Sequence, residues 1–259
     1  IRTALEFYLT AGADDTDDAA KTAAAFSVPY NHYGLIGNWD TSEVTDMSNL
    51  FKGFTDSTDS GGWPISIPNR MGYFNEDIST WDTSNVTKMD NMFKNAMTFN
   101  QSLNSWNTSQ VTNMAGMFTL APVFNQSLNS WNTSRVINMH YMFEGATLFN
   151  QDISNWNISQ VTSTKGMFLF TEIFNQPLNS WNTSQVTNME SMFQSASAFN
   201  QPLNSWNTSQ VTTMAYMFQS ASAFNQSLNS WNTSGVTTML YMFAHASAFN
   251  QSLNSWNTS

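Results

Sequence analysis

Apolar and polar positions follow one another along this chain in a pattern that keeps returning to itself. From Phe99 to Pro122 it reads FNQSLNSWNTSQVTNMAGMFTLAP, with Asn, Ser, Thr and Gln filling the spaces between large apolar residues. Trp recurs at 81, 106, 131, 156, 181, 206, 231 and 256, and a Phe-Asn pair opens each unit from Phe74-Asn75 to Phe249-Asn250. The period is 25 residues, with no insertion or deletion across those intervals. A fixed period of this length marks a stacked array with one unit per turn. An earlier unit starts at Trp39, and its return at Phe74 comes 17 residues late. An insertion at about residues 55–72 is therefore expected to leave the stack as a loop.

Within a unit, Met114, Met117, Phe118 and Ala121 stand at i, i+3, i+4 and i+7, the spacing of one helix face. Thr112 precedes that face and can cap it, and Thr187-Asn188-Met189-Glu190 has the form of a capping box. Each turn is thus expected to carry about two turns of α- or 3-10 helix. The stretch Ser102–Ser109 reads as extended. Leu103 and Trp106 are three apart and cannot share one face of a straight strand, so a corner falls between them. Short parallel strands stacked from turn to turn are the natural pairing. The expected fold is an α/β repeat solenoid, with residues 1–37 as an N-terminal helical cap and residues 38–259 as about nine turns, the last incomplete. One unit cannot bury enough apolar surface to offset the ordering of its own backbone, so neighbouring turns must cover it.

Two polar columns run through the array. One is Asn75, Asn100, Asn125, Asn150, Asn175, Asn200, Asn225 and Asn250; the other is Ser84, Ser109, Ser134, Ser159, Ser184, Ser209 and Ser234. A polar residue that returns every turn beside Phe or Val suggests a ladder that satisfies backbone groups at a corner.

The string Trp-Asn/Asp-Thr-Ser-x-Val-Thr-x-Met-x-x-Met-Phe-x-x-Ala-x-x-Phe-Asn-Gln resembles the short-unit repeat of bacterial and protist surface proteins related to BspA-type leucine-rich repeats. Tyr33-Gly34-Leu35-Ile36-Gly37-Asn38-Trp39-Asp40-Thr41-Ser42 resembles that family's approach to its first repeat. The resemblance covers about residues 33–259. It implies a leucine-rich-repeat-like solenoid on an extracellular protein, with no enzymatic activity and no catalytic residues to carry over. One unit departs from the pattern: around Trp156 stand Ile158, Thr164, Lys165 and Thr171, together with an unusually apolar Leu169-Phe170. This reads either as a locally repacked turn or as a lateral contact patch.

Ahead of the repeats, Arg2–Leu9 can form a short helix, followed by the acidic run Asp14-Asp15-Thr16-Asp17-Asp18 and an Ala-rich segment. A helix–loop–helix cap is expected there. Neither the acidic run nor Asp56 with Asp59 has a regular calcium-ligand spacing, so a solvated acidic surface is the expectation for both. At the other end the sequence stops inside a unit at Trp256-Asn257-Thr258-Ser259, which leads to the expectation of further repeats or of a head-to-tail filament of subunits.

Composition adds constraints. Only 10% of residues are charged, aromatics reach 14%, and there is no Cys, which excludes disulfides and thiolate metal sites. The net charge of −10 argues against nucleic acid or anionic lipid as partner, and no apolar run approaches a membrane span. No cofactor is expected, and neither a nucleophile motif nor a phosphate loop is present. The Met columns at 89, 114, 139, 189, 214 and 239 read as core, not as a soft-metal site. His140 and His245 stand at different phases of the unit.

Twelve Asn-x-Ser/Thr sequons occur: Asn85, Asn100, Asn107, Asn125, Asn132, Asn157, Asn182, Asn207, Asn225, Asn232, Asn250 and Asn257. In the Asn100 column the sequon is lost at Asn150, Asn175 and Asn200 while Asn persists, which points to a structural role. The column after Trp, namely Asn107, Asn132, Asn157, Asn182, Asn207, Asn232 and Asn257, keeps the sequon throughout and is the candidate for N-linked glycans. Three functions remain: a structural surface protein assembling head-to-tail, an adhesion or recognition module using one solenoid face, and an ice-binding surface built on the Thr108 and Thr112 columns. Recognition calls for a surface that varies between units, and the outward positions read as monotonous Gln, Asn, Ser and Thr.

Overall fold

The computed structural model describes residues 35–53 and 70–257. The chain returns to the same place every 25 residues, and single-residue parallel bridges join turn to turn in one line: Asp46–Lys88, Lys88–Asn113, Asn113–Asn138, and onward to Thr213–Thr238. The first turn pairs with the second at an offset of 41, as in the bond from Met47 N–H to the Lys88 carbonyl. Later turns pair at 24, as from Met89 N–H to Asn113. The difference is the seventeen-residue insertion, most of which lies outside the described residues. The N-terminal cap helices, the acidic run and Asp56 with Asp59 also lie outside them.

The helix expected over Met114–Ala121 is not there, and among the described residues there is no α-helix. The only helical pieces described are two 3-10 turns, Ile36–Asn38 and Arg70–Tyr73. Met114, Met117, Phe118 and Ala121 do all face inward and are buried, but their backbone is built differently. The N–H groups of Met114, Gly116, Phe118 and Leu120 donate to the carbonyls of Asn138, His140, Met142 and Glu144 in the next turn, at 3.1, 2.8, 2.8 and 2.6 Å. Between them, Met117, Thr119 and Ala121 donate back three residues, to Met114, Gly116 and Phe118. The segment is a chain of tight turns. Every second peptide bonds along the stack, and φ swings positive at Gly116 (+61°) and Leu120 (+54°). A motif that repeats every four residues puts apolar groups at the same i, i+3, i+4, i+7 spacing as a helix.

The strand expected over Ser102–Ser109 is absent too. Trp106 N–H closes a turn onto Leu103 and Val111 N–H closes one onto Thr108. The turn-to-turn backbone ladder therefore runs through the segment read as helix, and the segment read as strand carries corners.

Aromatic rings form the core. Phe51, Phe93, Phe118, Phe143, Phe168, Phe193, Phe218 and Phe243 stack in one column with centroids 5.5 to 5.9 Å apart. A second Phe column, from Phe74 to Phe249, packs against the first at about 4 Å, as between Phe118 and Phe124 at 3.9 Å. Indoles form a third column, and each Nε1–H from Trp106 onward reaches back 28 residues to a carbonyl, as from Trp131 to Leu103 at 2.9 Å. Offset stacking of this kind adds to the burial of the rings themselves.

Candidate functional face

The outside of the stack has two sides. One is built from the columns at Gln101, Asn104, Ser105, Asn107 and Ser109. Gln occupies the first of these from Gln101 to Gln251, and Ser occupies the last from Ser84 to Ser234. The other side carries the backbone ladder, from the Thr112 column to the Val123 column. Here neighbouring turns differ. The column through Ala115 reads Asp90, Ala115, His140, Lys165, Glu190, Ala215, Leu240, and the column through Leu120 reads Asn95, Leu120, Gly145, Phe170, Ser195, Ser220, His245. The monotony expected of the whole surface holds for those five columns, while the Ser102 and Gln110 columns beside them change at Asp152, Pro177, Pro202 and Arg135.

Apart from Leu35, which stands beside Asp77 and Thr80, the exposed large apolar groups follow the same division. Met97, Leu120, Ile137, Leu148, Phe170, Ile173, Leu240 and Tyr241 are all exposed, and all stand on the ladder side. So do seven of the nine charged residues beyond Thr83: Lys88, Asp90, Lys94, Glu144, Lys165, Glu172 and Glu190, with Arg135 and Asp152 elsewhere.

The backbone makes this display costly. The Gly116 column keeps a positive φ from Asn49 (57°) to Tyr241 (52°), and the Leu120 column does so from Asn95 (60°) to His245 (61°). Gly and Asn suit that region, yet Tyr141, Tyr216, Tyr241, Leu120 and Phe170 occupy it with their side chains turned outward. Glycines on the following turn make room for two of them. A Cβ on Gly166 would stand 2.4 Å from the Tyr141 ring, and one on Gly145 would stand 2.6 Å from Leu120 Cδ2. Tyr216 and Tyr241 stack at 5.8 Å.

Charges on this side are partly paired. Lys165 Nζ lies 3.0 Å from Glu190 and 5.9 Å from the centre of the Tyr141 ring. Its hydrogen bond to Glu190 raises the Lys165 pKa above the usual ammonium value. Lys88 pairs with Asp46 at 3.6 Å. Burial pushes the carboxyls of Asp90 and Glu144 up and the imidazole of His140 down, the last aided by the Lys165 charge. Among the described residues, no group of three or more His, Asp or Glu could hold a metal ion, and no helix is long and apolar enough to cross a membrane.

The polar columns resolve into distinct roles. Asn100 Oδ1 accepts the Asn125 N–H at 2.9 Å, and the same bond runs from Asn75 to Asn250. Gln126 Nε2 adds a second bond to Asn100 Oδ1. The Ser column is not a ladder between turns. Ser109 N–H donates to Asn107 Oδ1 in its own unit at 3.1 Å, as Ser134 does to Asn132 and Ser84 to Asp82. Two residues apart, these groups close an Asx turn, which explains why Asp serves in place of Asn at 40 and 82. The Asn107 column is exposed along its whole length. Thr108 is buried, and its hydroxyl donates to the Asn132 carbonyl. Only the Thr112 column of the two Thr ranks reaches the surface, so a double Thr rank does not form. The departing unit divides between both readings: Ile158, Thr164 and Thr171 are buried, while Phe170 faces solvent.

These features define a repeat protein whose stacked 25-residue turns carry a mostly uniform polar side and a more variable ladder side. The chain matches, over residues 6–72, 66–180 and 169–259, the family described as "Mycoplasma protein of unknown function, DUF285", and it belongs to that family. No curated protein matches it.

Proposed function

We propose that this chain is an extracellular surface repeat protein, a leucine-rich-repeat-like solenoid that recognises a partner through its ladder face. One observation carries this reading: bulky side chains are displayed outward from left-handed backbone positions. An L-residue there costs about 1–2 kcal/mol relative to its right-handed form. Phe170, at 48% exposure, and Leu120, at 42%, recover little of that through burial. Strain held at an exposed site supports a binding role. Tyr and apolar groups gathered on one side have the make-up of an interface.

Recognition fits this arrangement better than the head-to-tail filament. Axial stacking uses the repeated backbone columns and rings and gains nothing from lateral residues that change at every turn. The ice-binding alternative loses its second Thr rank to the interior. The surface location accords with a repeat-protein family of this kind.

The test compares two variants of the full chain, both checked for the parent's circular dichroism. One replaces Leu120, Phe170 and Tyr216 with Asn, which tolerates positive φ. The other replaces Ser105, Ser130 and Ser180 on the polar side with Lys. Labelled protein is applied to cells and extracellular matrix. Binding is expected to survive the polar-side changes and to be lost with the ladder-side changes. Equal binding by both variants, or no binding by the parent to any surface, would overturn the reading.

A further inference from the structure

Resting on that reading, we infer that the apolar stretch of the ladder face formed by Leu120, Leu148, Phe170 and Ile173 docks a polypeptide segment carrying apolar and basic side chains together. The four are 42–48% exposed. Leu148 and Ile173 share one column on consecutive turns. Leu120 and Phe170 share another outward column two turns apart, with Gly145 between them.

Charge decides which segment fits. The Glu144 backbone lies inside the patch, in the column next to that of Leu120 and Phe170: its carbonyl accepts the Leu120 N–H at 2.6 Å, and its neighbour Gly145 donates to Leu169. Glu172 sits between Phe170 and Ile173 in sequence and is exposed. Neither carboxylate has an ion-pair partner among the described residues; on the same face Lys88 and Lys165 are each paired, and Lys94 stands two turns from Glu144 in its column. Burial already holds the Glu144 carboxyl above its ordinary value, and the Lys94 charge offsets this only in part. A carboxylate half withdrawn from water beside apolar groups is short of positive charge. An apolar segment bearing Lys or Arg covers the hydrophobic surface and supplies that charge. An acidic segment would meet two like charges, which opposes docking.

Fluorescence anisotropy with short labelled peptides tests this on the full chain. One peptide intersperses Leu and Lys, a second replaces Lys with Glu, and a third replaces Leu with Ser. The Leu/Lys peptide is expected to bind and the other two not. Glu144→Gln with Glu172→Gln should weaken it about tenfold and flatten its salt dependence. Leu148→Asn with Ile173→Asn should weaken it by at least about tenfold. All four residues lie on the ladder side, outside the core, and near-ultraviolet circular dichroism reports whether the core aromatics keep their packing.

Equal binding of the acidic peptide, or no effect of the Gln pair, overturns the inference. So does a parent that dimerises in sedimentation while the Leu148→Asn, Ile173→Asn variant stays monomeric, since the occupant is then a second copy. If no peptide binds while the ladder-side variant above still loses its surface binding, recognition stands and this partner chemistry falls.

Discussion

The side chain of Leu120 lies against Gly145 on the next turn, where an added methyl carbon would come within 2.6 Å of Leu120 Cδ2. Gly145 also has a φ of +65°. Two separate costs thus meet in one substitution. Gly145→Ala is expected to destabilise the chain by about 1–2 kcal/mol from the backbone alone, with the contact added. Combining it with Leu120→Ala should recover the contact and leave the backbone share. Urea unfolding of the two singles and the double resolves the coupling. A Gly145→Ala variant as stable as its parent would contradict the geometry.

The indole bond from Trp131 to Leu103 is buried. Trp131→Phe keeps a ring in the column and removes the donor, which leaves the Leu103 carbonyl without that bond. That carbonyl still accepts the Trp106 N–H, so the hydrogen-bond share of the loss is about 0.5–1.5 kcal/mol, read by thermal or denaturant unfolding. A spectroscopic signature accompanies it, because the indoles of Trp131 and Trp156 are 6.2 Å apart and nearly parallel. Their coupled near-ultraviolet circular dichroism should weaken in the variant.

Phe143 touches Phe118, Phe149, Trp156 and Phe168. Phe143→Ala should cost about 3–5 kcal/mol. In a stack whose turns contact only their neighbours, the damage stays local. Hydrogen exchange should accelerate first in the turns flanking residue 143, while protection near Phe218 persists. Uniform loss along the chain would show that the turns unfold as one unit.

Protonation pulls in two directions. Asp40, Asp77, Asp82 and Asp152 each accept hydrogen bonds from the Ser two residues on, which lowers their pKa. Their contribution is present above the ordinary Asp range and is lost as pH falls through the lowered values. Burial raises Glu76, Asp90 and Glu144. Those groups favour the fold below the ordinary carboxylate range, and that contribution is lost as pH rises through the raised values. The contribution of these groups to thermal stability should therefore peak near the ordinary carboxylate range, about pH 4, and decline on both sides, which a melting series across pH will show. A flat profile from acid to neutral would count against these assignments.

Sugars on the Asn107 column would be crowded. Successive turns linked by parallel bridges are about 4.8 Å apart, less than a pyranose ring with its hydroxyls needs. Secretion through a eukaryotic host should therefore leave at least every second site of that column empty. Intact mass before and after deglycosylation counts the occupied sites.

The sequence made the period, the buried set and the insertion plain, because each is a matter of spacing. Met114, Met117, Phe118 and Ala121 were correctly inward. Periodicity reports which side chains face in, and it is blind to whether the Phe118 N–H bonds back along a helix or, as it does, to Met142 on the next turn. The sign of φ was partly legible: Gly116, Gly145, Gly166, Asn91 and Asn95 mark the left-handed columns, but Tyr141, Leu120 and Phe170 in the same columns mask them. The variable face was missed for a related reason. Comparing units for what recurs draws attention to Trp, Asn and Ser, whereas the informative columns are those through Ala115, Gly116 and Leu120, where the units disagree.

The ladder N–H groups of Met114, Gly116, Phe118 and Leu120 all point toward the same end of the stack, and each turn offers the next an unchanged template. Length is consequently a free variable. Duplicating one 25-residue segment extends the reach by about 4.8 Å and demands no new contact chemistry from its neighbours. The added turn arrives with its outward ladder positions open to change, so reach and the number of writable surface positions grow together by whole units.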